Sequence, residues 1–361
     1  MITQNFQDIF TYEALYRAHL KGRLCKRDKR PLVRFEMRTL QHLHGLYLKL
    51  QAGNFKFGTY SSFIVYEPKK REIQTLPYSA RVVQHILCDD VLMPYFSARS
   101  IADNCVCQLG KGAHYALKRF EKMLRDHIRA HGSEGYFLKC DILKYFPSIP
   151  HEGIKRTFCT QIKDAKLKRL LECIIDGYHT NSLYLKKYGI QPLEADRSGR
   201  GVPIGNQTSQ LFGMFYLDKV DRVIKEQLRI KVYSRYMDDF VMVHSDKQVL
   251  KNTLDVLRDM LEDMGLKLNS KTHIFPIKNG VTYLGFRYFV TPTGKVVKTV
   301  KKPTKRRIRW RIRLLKKAYI ERLIDSERLK VSLASMRGHI AHARSYRIDK
   351  EIKDKLGAYC D

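Results

Sequence analysis

The chain has 361 residues, 44% of them hydrophobic, enough to bury a core spread over two or three subdomains. Lysine and arginine number 68 against 36 acidic residues, a formal charge of +32 that points to a polyanionic partner. No apolar run reaches the roughly 18 residues of a membrane span, Met1–Phe6 lacks the features of a signal peptide, and eight scattered cysteines (Cys105 and Cys107 the closest) form no paired zinc pattern, so a reduced cytoplasmic protein without a membrane partner is expected.

Residues 1–55 are polar and basic, most of all at Lys21–Arg30, and Leu40, Leu43, Tyr47 and Leu50 recur there at helical spacing. Phe63–Tyr66 and Glu72–Leu76 flank a basic turn, Lys69-Lys70-Arg71, which predicts a β-hairpin. Residues 78–127 read as helical. After a turn at Gly132–Gly135, Tyr136–Ile142 reads as a buried strand bearing Asp141 near its end. The polar stretch Gly177–Gly201 predicts a loop-bearing insertion. Val232–Arg235 and Phe240–Val243 are apolar runs on either side of Tyr236-Met237-Asp238-Asp239, so a hairpin would carry two carboxylates at its tip. Leu250, Leu254, Leu257, Leu261 and Met264 mark an amphipathic helix packed on a sheet. Lys295–Lys317 holds twelve Lys/Arg and no acid, with Ile308, Ile312 and Leu315 on one helical stripe and Trp310 nearby. Such unbalanced charge repels itself unless phosphates neutralise it. Leu329, Leu333, Met336 and Ile340 repeat the helical period near the C-terminus.

An Asp-Asp pair alone is ordinarily an exposed turn. Asp141 on a strand some hundred residues upstream changes its meaning, because one acid facing an acid pair suits two-metal phosphoryl transfer. Magnesium needs only one or two carboxylates when substrate phosphates complete its shell. Lys69, Lys70 and Arg71 are cations placed to grip a triphosphate, Arg71 best of all through its planar fork; a solvated basic turn is the plain alternative. Gly110-Lys111-Gly112 lacks the pattern of a nucleoside-triphosphatase loop, and no Gly-x-Ser-x-Gly elbow occurs.

Phe137-x-x-x-Asp141, Tyr236–Asp239, Gly265–Thr272 and Tyr283-Leu284-Gly285-Phe286 resemble, in order and spacing, motifs A, C and D and the primer grip of reverse transcriptases; the resemblance runs from about Tyr60 to the C-terminus. The motif B candidate is Ile204-Gly205-Asn206-Gln207-Thr208-Ser209-Gln210. Group II intron and retron enzymes carry Gln-Gly-x-x-x-Ser-Pro there, whereas this form resembles the enzymes of diversity-generating retroelements. Tyr66–Arg71 with Arg81–His85, and Leu333–His339, resemble the same group.

The resemblance implies an α+β, right-hand polymerase fold with fingers, an antiparallel-sheet palm and a helical thumb. It implies an N-terminal extension over 1–55, fingers with part of the palm over 56–135, palm over 136–290 and thumb over 291–361. It implies an RNA-directed DNA polymerase with two Mg²⁺ per active site, taking dNTPs and an RNA–DNA hybrid. The expected product is mutated cDNA of a template repeat RNA, with errors at template adenines. A small oligomeric accessory protein would be a partner, and RNA flanking the template an activator. Asp141 and Asp238, with Ile142, would bind metal, and Asp239 would support them, since neighbours on a strand point to opposite sides. Lys271 would protonate departing pyrophosphate. Lys69, Arg71, Ile142, Phe146, Ile204, Gly205 and Gln210 would line the nucleotide pocket. Within it Phe146 would exclude a ribose 2′-hydroxyl, Gly205 would admit the nascent base pair, and Ile204 would offer shape without a donor or acceptor. Tyr283, Leu284 and Gly285 would hold the primer end, and Lys305, Arg306, Arg307 and Arg309 would track the nucleic-acid backbone. About seventy residues follow the primer grip, too few for a thumb plus a nuclease domain of usual size. A defence-associated reverse transcriptase with the same core and a catalytically idle RNA-binding protein are the alternatives.

Overall fold

The computed structural model describes residues 1–66, 69–106, 108, 110–190 and 199–356. Glu67 and Pro68 of the basic turn, Cys107, and residues 191–198 of the insertion lie outside the described residues. The architecture is α+β. Four helices open it: α1 (Phe6–Ile9), α2 (Tyr12–Gly22), α3 (Arg30–Glu36) and α4 (Thr39–Gln51). The buried stripe of α4 is Leu43, Leu46 and Leu50; Leu40, expected on it, stands at the edge of that stripe in the first turn and is 67% exposed.

Strands β1 (Ser61–Val65) and β2 (Arg71–Thr75) pair antiparallel as a separate two-stranded hairpin. Helices α5 (Tyr78–Ile86), α6 (Met93–Ser97) and α7 (Ala113–His131) follow. The expectation of helix throughout 78–127 fails between α6 and α7. There Asn104 is fully buried and bridges Arg235, and buried Asp103 pairs with Lys225 at 3.1 Å and with Arg119. These polar contacts hold a turn whose Asn104 bridges the neighbouring strand, overriding local helical pattern.

The central sheet is built from β3 (Tyr136–Asp141), β4 (Val232–Tyr236), β5 (Asp239–His244) and β6 (His273–Pro276), all antiparallel in the order β4-β5-β3-β6. Side-chain alternation divides its two faces. Leu138, Cys140, Phe240 and Met242 enter the larger core. That core also takes the N-terminal helices, α9 (His151–Phe158), α10 (Ala165–Asp176), α12 (Gln207–Phe215), α13 (Asp218–Arg222) and α14 (Lys247–Asp263). The short helix α8 (Tyr145–Ser148) precedes α9, and α11 (Ser182–Lys187) lies within the insertion, capped by Asn181, whose Oδ1 accepts from the Leu183 amide at 2.8 Å. Leu250, Leu254, Leu257 and Leu261 are the buried side of α14, as their period predicts.

Phe137, Val241 and Val243 on the other face join a second core. It is formed with α7, a three-stranded sheet of β7 (Val281–Tyr283), β8 (Phe286–Val290) and β9 (Val296–Val300), and helices α15 (Lys302–Ile320), α16 (Ser326–Ile340) and α17 (Tyr346–Leu356). The basic segment thus begins as strand β9 and turns helical only at Lys302, with Ile308 and Ile312 buried. Among the described residues no helix is long and apolar enough to cross a membrane.

Candidate active site

Register brings the three acids together. Asp141 lies directly opposite Asp239 across the β3–β5 ladder, and Asp238 stands in the two-residue turn joining Tyr236 to Asp239. Met237, the first residue of that turn, has φ of +57°, a left-handed conformation uncommon for a residue with a side chain. Asp141 and Asp239 therefore share one face of the sheet, and what sets Asp239 apart is its ion pair. Lys139, two residues before Asp141 and on the same face, donates from Nζ to Asp239 Oδ1 at 2.7 Å. Like charges directly opposite on a sheet repel, and the diagonal cation offsets this.

Burial, together with the charges of Asp141 and Asp239, pushes Asp238 up to about 6 despite its own backbone hydrogen bond and the opposing charge of Arg71. Burial also raises Asp141, against the pull of Lys139, Lys271, Lys69 and a bond from Asn269. Burial raises Asp239 too, opposed by Lys139. Burial disfavours the charged form of all three, and a bound divalent cation would offset that cost. Among the described residues Asp239 is ion-paired, to Lys139, whereas Asp141 takes only the neutral amide of Asn269. The Ile142 side chain is 2% exposed, so that residue has only backbone to offer. Among the described residues no cluster of three or more His, Cys, Asp or Glu side chains forms a metal cage. Two carboxylates with room for substrate oxygens fit Mg²⁺.

The other expected residues fall around this centre, with corrections. Lys69 and Arg71, exposed at the end of the β1–β2 hairpin, act on Asp141 and Asp238 respectively, and exposed Lys271 acts on Asp141. Phe146 is half-buried on α8, its ring seated over Gly213 of α12, where an added Cβ would lie 3.1 Å from Phe146 Cζ. Ile204 and Gln210 are half-buried. The Ile204 carbonyl accepts from the Gln74 amide of β2 at 2.8 Å, which ties this loop to the hairpin. Gly205 serves that contact: its φ is +139°, and an added Cβ would stand 2.2 Å from the Gln74 carbonyl oxygen. The close approach it permits within the chain is to β2. Tyr283 is fully buried and its hydroxyl lies 2.9 Å from Ser234 Oγ, so of the expected primer grip only the turn Leu284-Gly285, left-handed at φ of +44° and +90°, is presented. On α15, Arg306 and Arg307 are exposed and Lys305 half-buried, but Arg309 turns to α17, where Nε and a terminal nitrogen meet the two Glu351 carboxylate oxygens at 2.8 Å each.

Several residues around the acids escaped the sequence reading. Asn269 donates its amide N–H to the Asp141 carbonyl at 2.8 Å and its side-chain Nδ2 to Asp141 Oδ2 at 3.2 Å. Arg235, fully buried in β4, donates from Nε to Asp221 Oδ1 at 2.6 Å, and from its terminal nitrogens to the carbonyls of Met214 at 2.9 Å and Met237 at 3.2 Å. Tyr233 also donates to Asp221. One guanidinium thus fastens the strained turn at Met237 to α12 and α13. The sequence signal for Lys139 was present, since it lies two residues from Asp141 and must share its face. Nothing local marked Asp221 as the partner of Arg235.

A family model described as reverse transcriptase (RNA-dependent DNA polymerase) matches residues 68–288. No curated protein matches the chain. Among solved structures, apo telomerase from Candida tropicalis is similar at 14% identity over 84% of this chain and 58% of that one, with a TM-score of 0.48. A form truncated from its C-terminal domain gives 15% identity, 67% and 55% coverage and a TM-score of 0.42. Telomerase from Candida albicans, in complex with the TWJ fragment of telomeric RNA, gives 12%, 86% and 61%, and 0.43. This chain spans 55% to 61% of the length of those three.

Proposed function

Because the chain belongs to the reverse transcriptase family, in an α+β right-hand polymerase fold, we propose that it is a working RNA-directed DNA polymerase and that it serves a diversity-generating retroelement. The observation that carries catalysis is the meeting of Asp141 and Asp238 under the charges of Lys69, Arg71 and Lys271. Mg²⁺ held by Asp141 and Asp238, with backbone at Ile142, would supply activation of a primer 3′-hydroxyl and neutralisation of the departing pyrophosphate. The residues of the chain do the rest. Lys69 and Arg71 bind the triphosphate from the hairpin side. Phe146, seated on Gly213, closes the space beside the sugar. Lys271 stands where a proton can be handed to pyrophosphate. Asn269 orients the Asp141 carboxylate.

The chain divides as its sequence suggests, into an extension over 1–55, fingers with part of the palm over 56–135, palm over 136–290 and a basic thumb over 291–361. Lys305, Arg306 and Arg307 lie along the template RNA and RNA–DNA hybrid. The retroelement assignment rests on the Ile204–Gln210 segment, where Ile204 stands in place of an amide side chain. A pocket with fewer polar contacts discriminates less between correct and incorrect nucleotides. A small oligomeric accessory protein and flanking RNA complete the proposed assembly. The test is to extend a primer on RNA with Mg²⁺ and the four dNTPs and to sequence the cDNA. Errors concentrated at template adenines support the reading. Faithful cDNA assigns the chain to another reverse transcriptase group, and no cDNA at all overturns the polymerase.

A further inference from the structure

The carboxylates and the Leu284-Gly285 turn belong to different sheets, β4-β5-β3-β6 and β7-β8-β9. Among the described residues no strand ladder runs between the two sheets, so backbone pairing does not fix how far the turn stands from the acids. Side chains do. Lys139 Nζ, bonded to Asp239 at 2.7 Å, also donates to the Thr282 carbonyl at 2.8 Å and lies 5.8 Å from the centre of the Tyr283 ring. Ser234 on β4 meets the Tyr283 hydroxyl at 2.9 Å. The two residues leading into the turn are thus held from β3 and β4, the strands on either side of β5, which carries Asp239. A left-handed pair at Leu284 and Gly285 then fixes the turn that follows.

From this juxtaposition we infer that Lys139 is a positioning residue that couples the carboxylate hairpin to the primer-grip turn, with Asp239 as its anchor. The inference rests on the polymerase reading and deepens it. Asp239 acts through Lys139 on the primer terminus, whereas Asp141 and Asp238 face the metal. The geometry favours this division because the Lys139 ammonium spends two of its three donors on these bonds. Both side chains are also partly shielded, Lys139 being 24% and Asp239 32% exposed, so water competes weakly for them.

The test compares wild type with Lys139→Met, Lys139→Arg and Asp239→Asn in primer extension on an RNA template. Each protein is first checked for a wild-type circular dichroism spectrum. A displacement of the primer end by about 1 Å costs up to about a hundredfold in rate, so Lys139→Met is expected to lower kcat ten- to a hundredfold and shorten products. The Mg²⁺ concentration for half-maximal rate and the KM for dNTP should stay within about threefold of wild type, since the two bonds of Lys139 go to Asp239 and the Thr282 carbonyl and its charge reaches Asp141 only through space. Lys139→Arg should recover most of the rate, and Asp239→Asn should reproduce the Lys139→Met defect with no further loss in the double variant. Should Lys139→Met fail to fold, Asp239→Asn alone carries the test through the same split between product length and Mg²⁺ dependence. Wild-type kcat and product length in Lys139→Met overturn the inference alone. So does a Mg²⁺ requirement raised tenfold with product length unchanged, which would place Lys139 in the service of the metal site. A wild-type protein that extends no primer overturns the polymerase reading and this inference with it.

Discussion

Two β-hairpins meet at the candidate active site, and they are held in opposite ways. The β4–β5 hairpin lies inside a four-stranded sheet, and its turn is bonded from beneath by Arg235, itself paired with Asp221 where neither side chain sees solvent. The β1–β2 hairpin stands apart as two strands. Phe63, Ile64 and Val65 are exposed on it, and its base, away from the basic turn, is tied to the motif B loop through Gln74 and Ile204. Sparse burial marks the parts of a fold that move at low cost. Asp238 and Asp239 thus sit on the fixed hairpin, with Asp141 on the adjoining strand β3, and the cations proposed for the triphosphate sit on the light one. A site that must hold geometry while admitting a new nucleotide at every step is served by that division.

Substitution at Arg235 tests the fixed side hardest. Arg235→Met strands Asp221 without its partner in the core, and loss of one member of a buried pair costs about 3–5 kcal/mol. Urea unfolding should show that loss, while Arg71→Ala on the light hairpin changes stability by under about 0.5 kcal/mol and raises the dNTP KM instead. Equal stability of Arg235→Met and wild type would erase the contrast.

The acids make the fixed hairpin sensitive to pH. Asp238 keeps its proton to about pH 6 in the folded chain but only to about 3.8 in the unfolded one, so the folded state binds more protons between those values. Stability in the absence of Mg²⁺ therefore falls as pH rises from about 4 to about 6 and stays lower above that, by on the order of 3 kcal/mol. Mg²⁺ should raise the melting temperature more at pH 7.5 than at pH 5, and Asp238→Asn should flatten the profile. A melting temperature that climbs across this window in the metal-free protein would contradict the assignment of Asp238.

The same contrast explains what was legible in the sequence. Strands β3, β4 and β5 were readable because alternation and apolar runs are local, and so were the buried sides of α14 and α16. The three acids followed from those strands. Arg235 and Asp221 were not readable as a pair, because their bond joins a strand to a helix and neither neighbourhood marks it. Tyr283 was read as part of the primer grip and Arg309 as tracking the nucleic-acid backbone, but the Tyr283 side chain is buried and Arg309, though exposed, is paired with Glu351. The need for glycine at 205 has a reason that only the fold shows, since the group crowding it is the Gln74 carbonyl.

Gly205→Ala sharpens the account of the light hairpin. A Cβ 2.2 Å from that oxygen, on backbone at φ of +139°, forces hairpin and loop apart. The expected cost is about 1–3 kcal/mol, felt locally as a higher dNTP KM with global melting little changed. An unaltered KM would mean that the hairpin is seated by other contacts.

The smallest expected effect is on the basic helix α15. Replacing Lys305, Arg306 and Arg307 by Gln should flatten the salt dependence of RNA binding, each lost contact lowering the log–log slope by about 0.7–0.9. Arg309→Gln should leave the slope unchanged, since Glu351 already neutralises that guanidinium. An equal loss at Arg309 would show that the ion pair opens on binding.

The central claim is that Asp141 and Asp238 form the metal-binding pair of a working polymerase. The most direct test measures primer extension and RNA affinity on the same preparation of Asp238→Asn. Extension should be abolished while affinity stays near that of wild type, because the metal pair is broken and the basic surface is not. Substantial cDNA synthesis by Asp238→Asn would contradict the account.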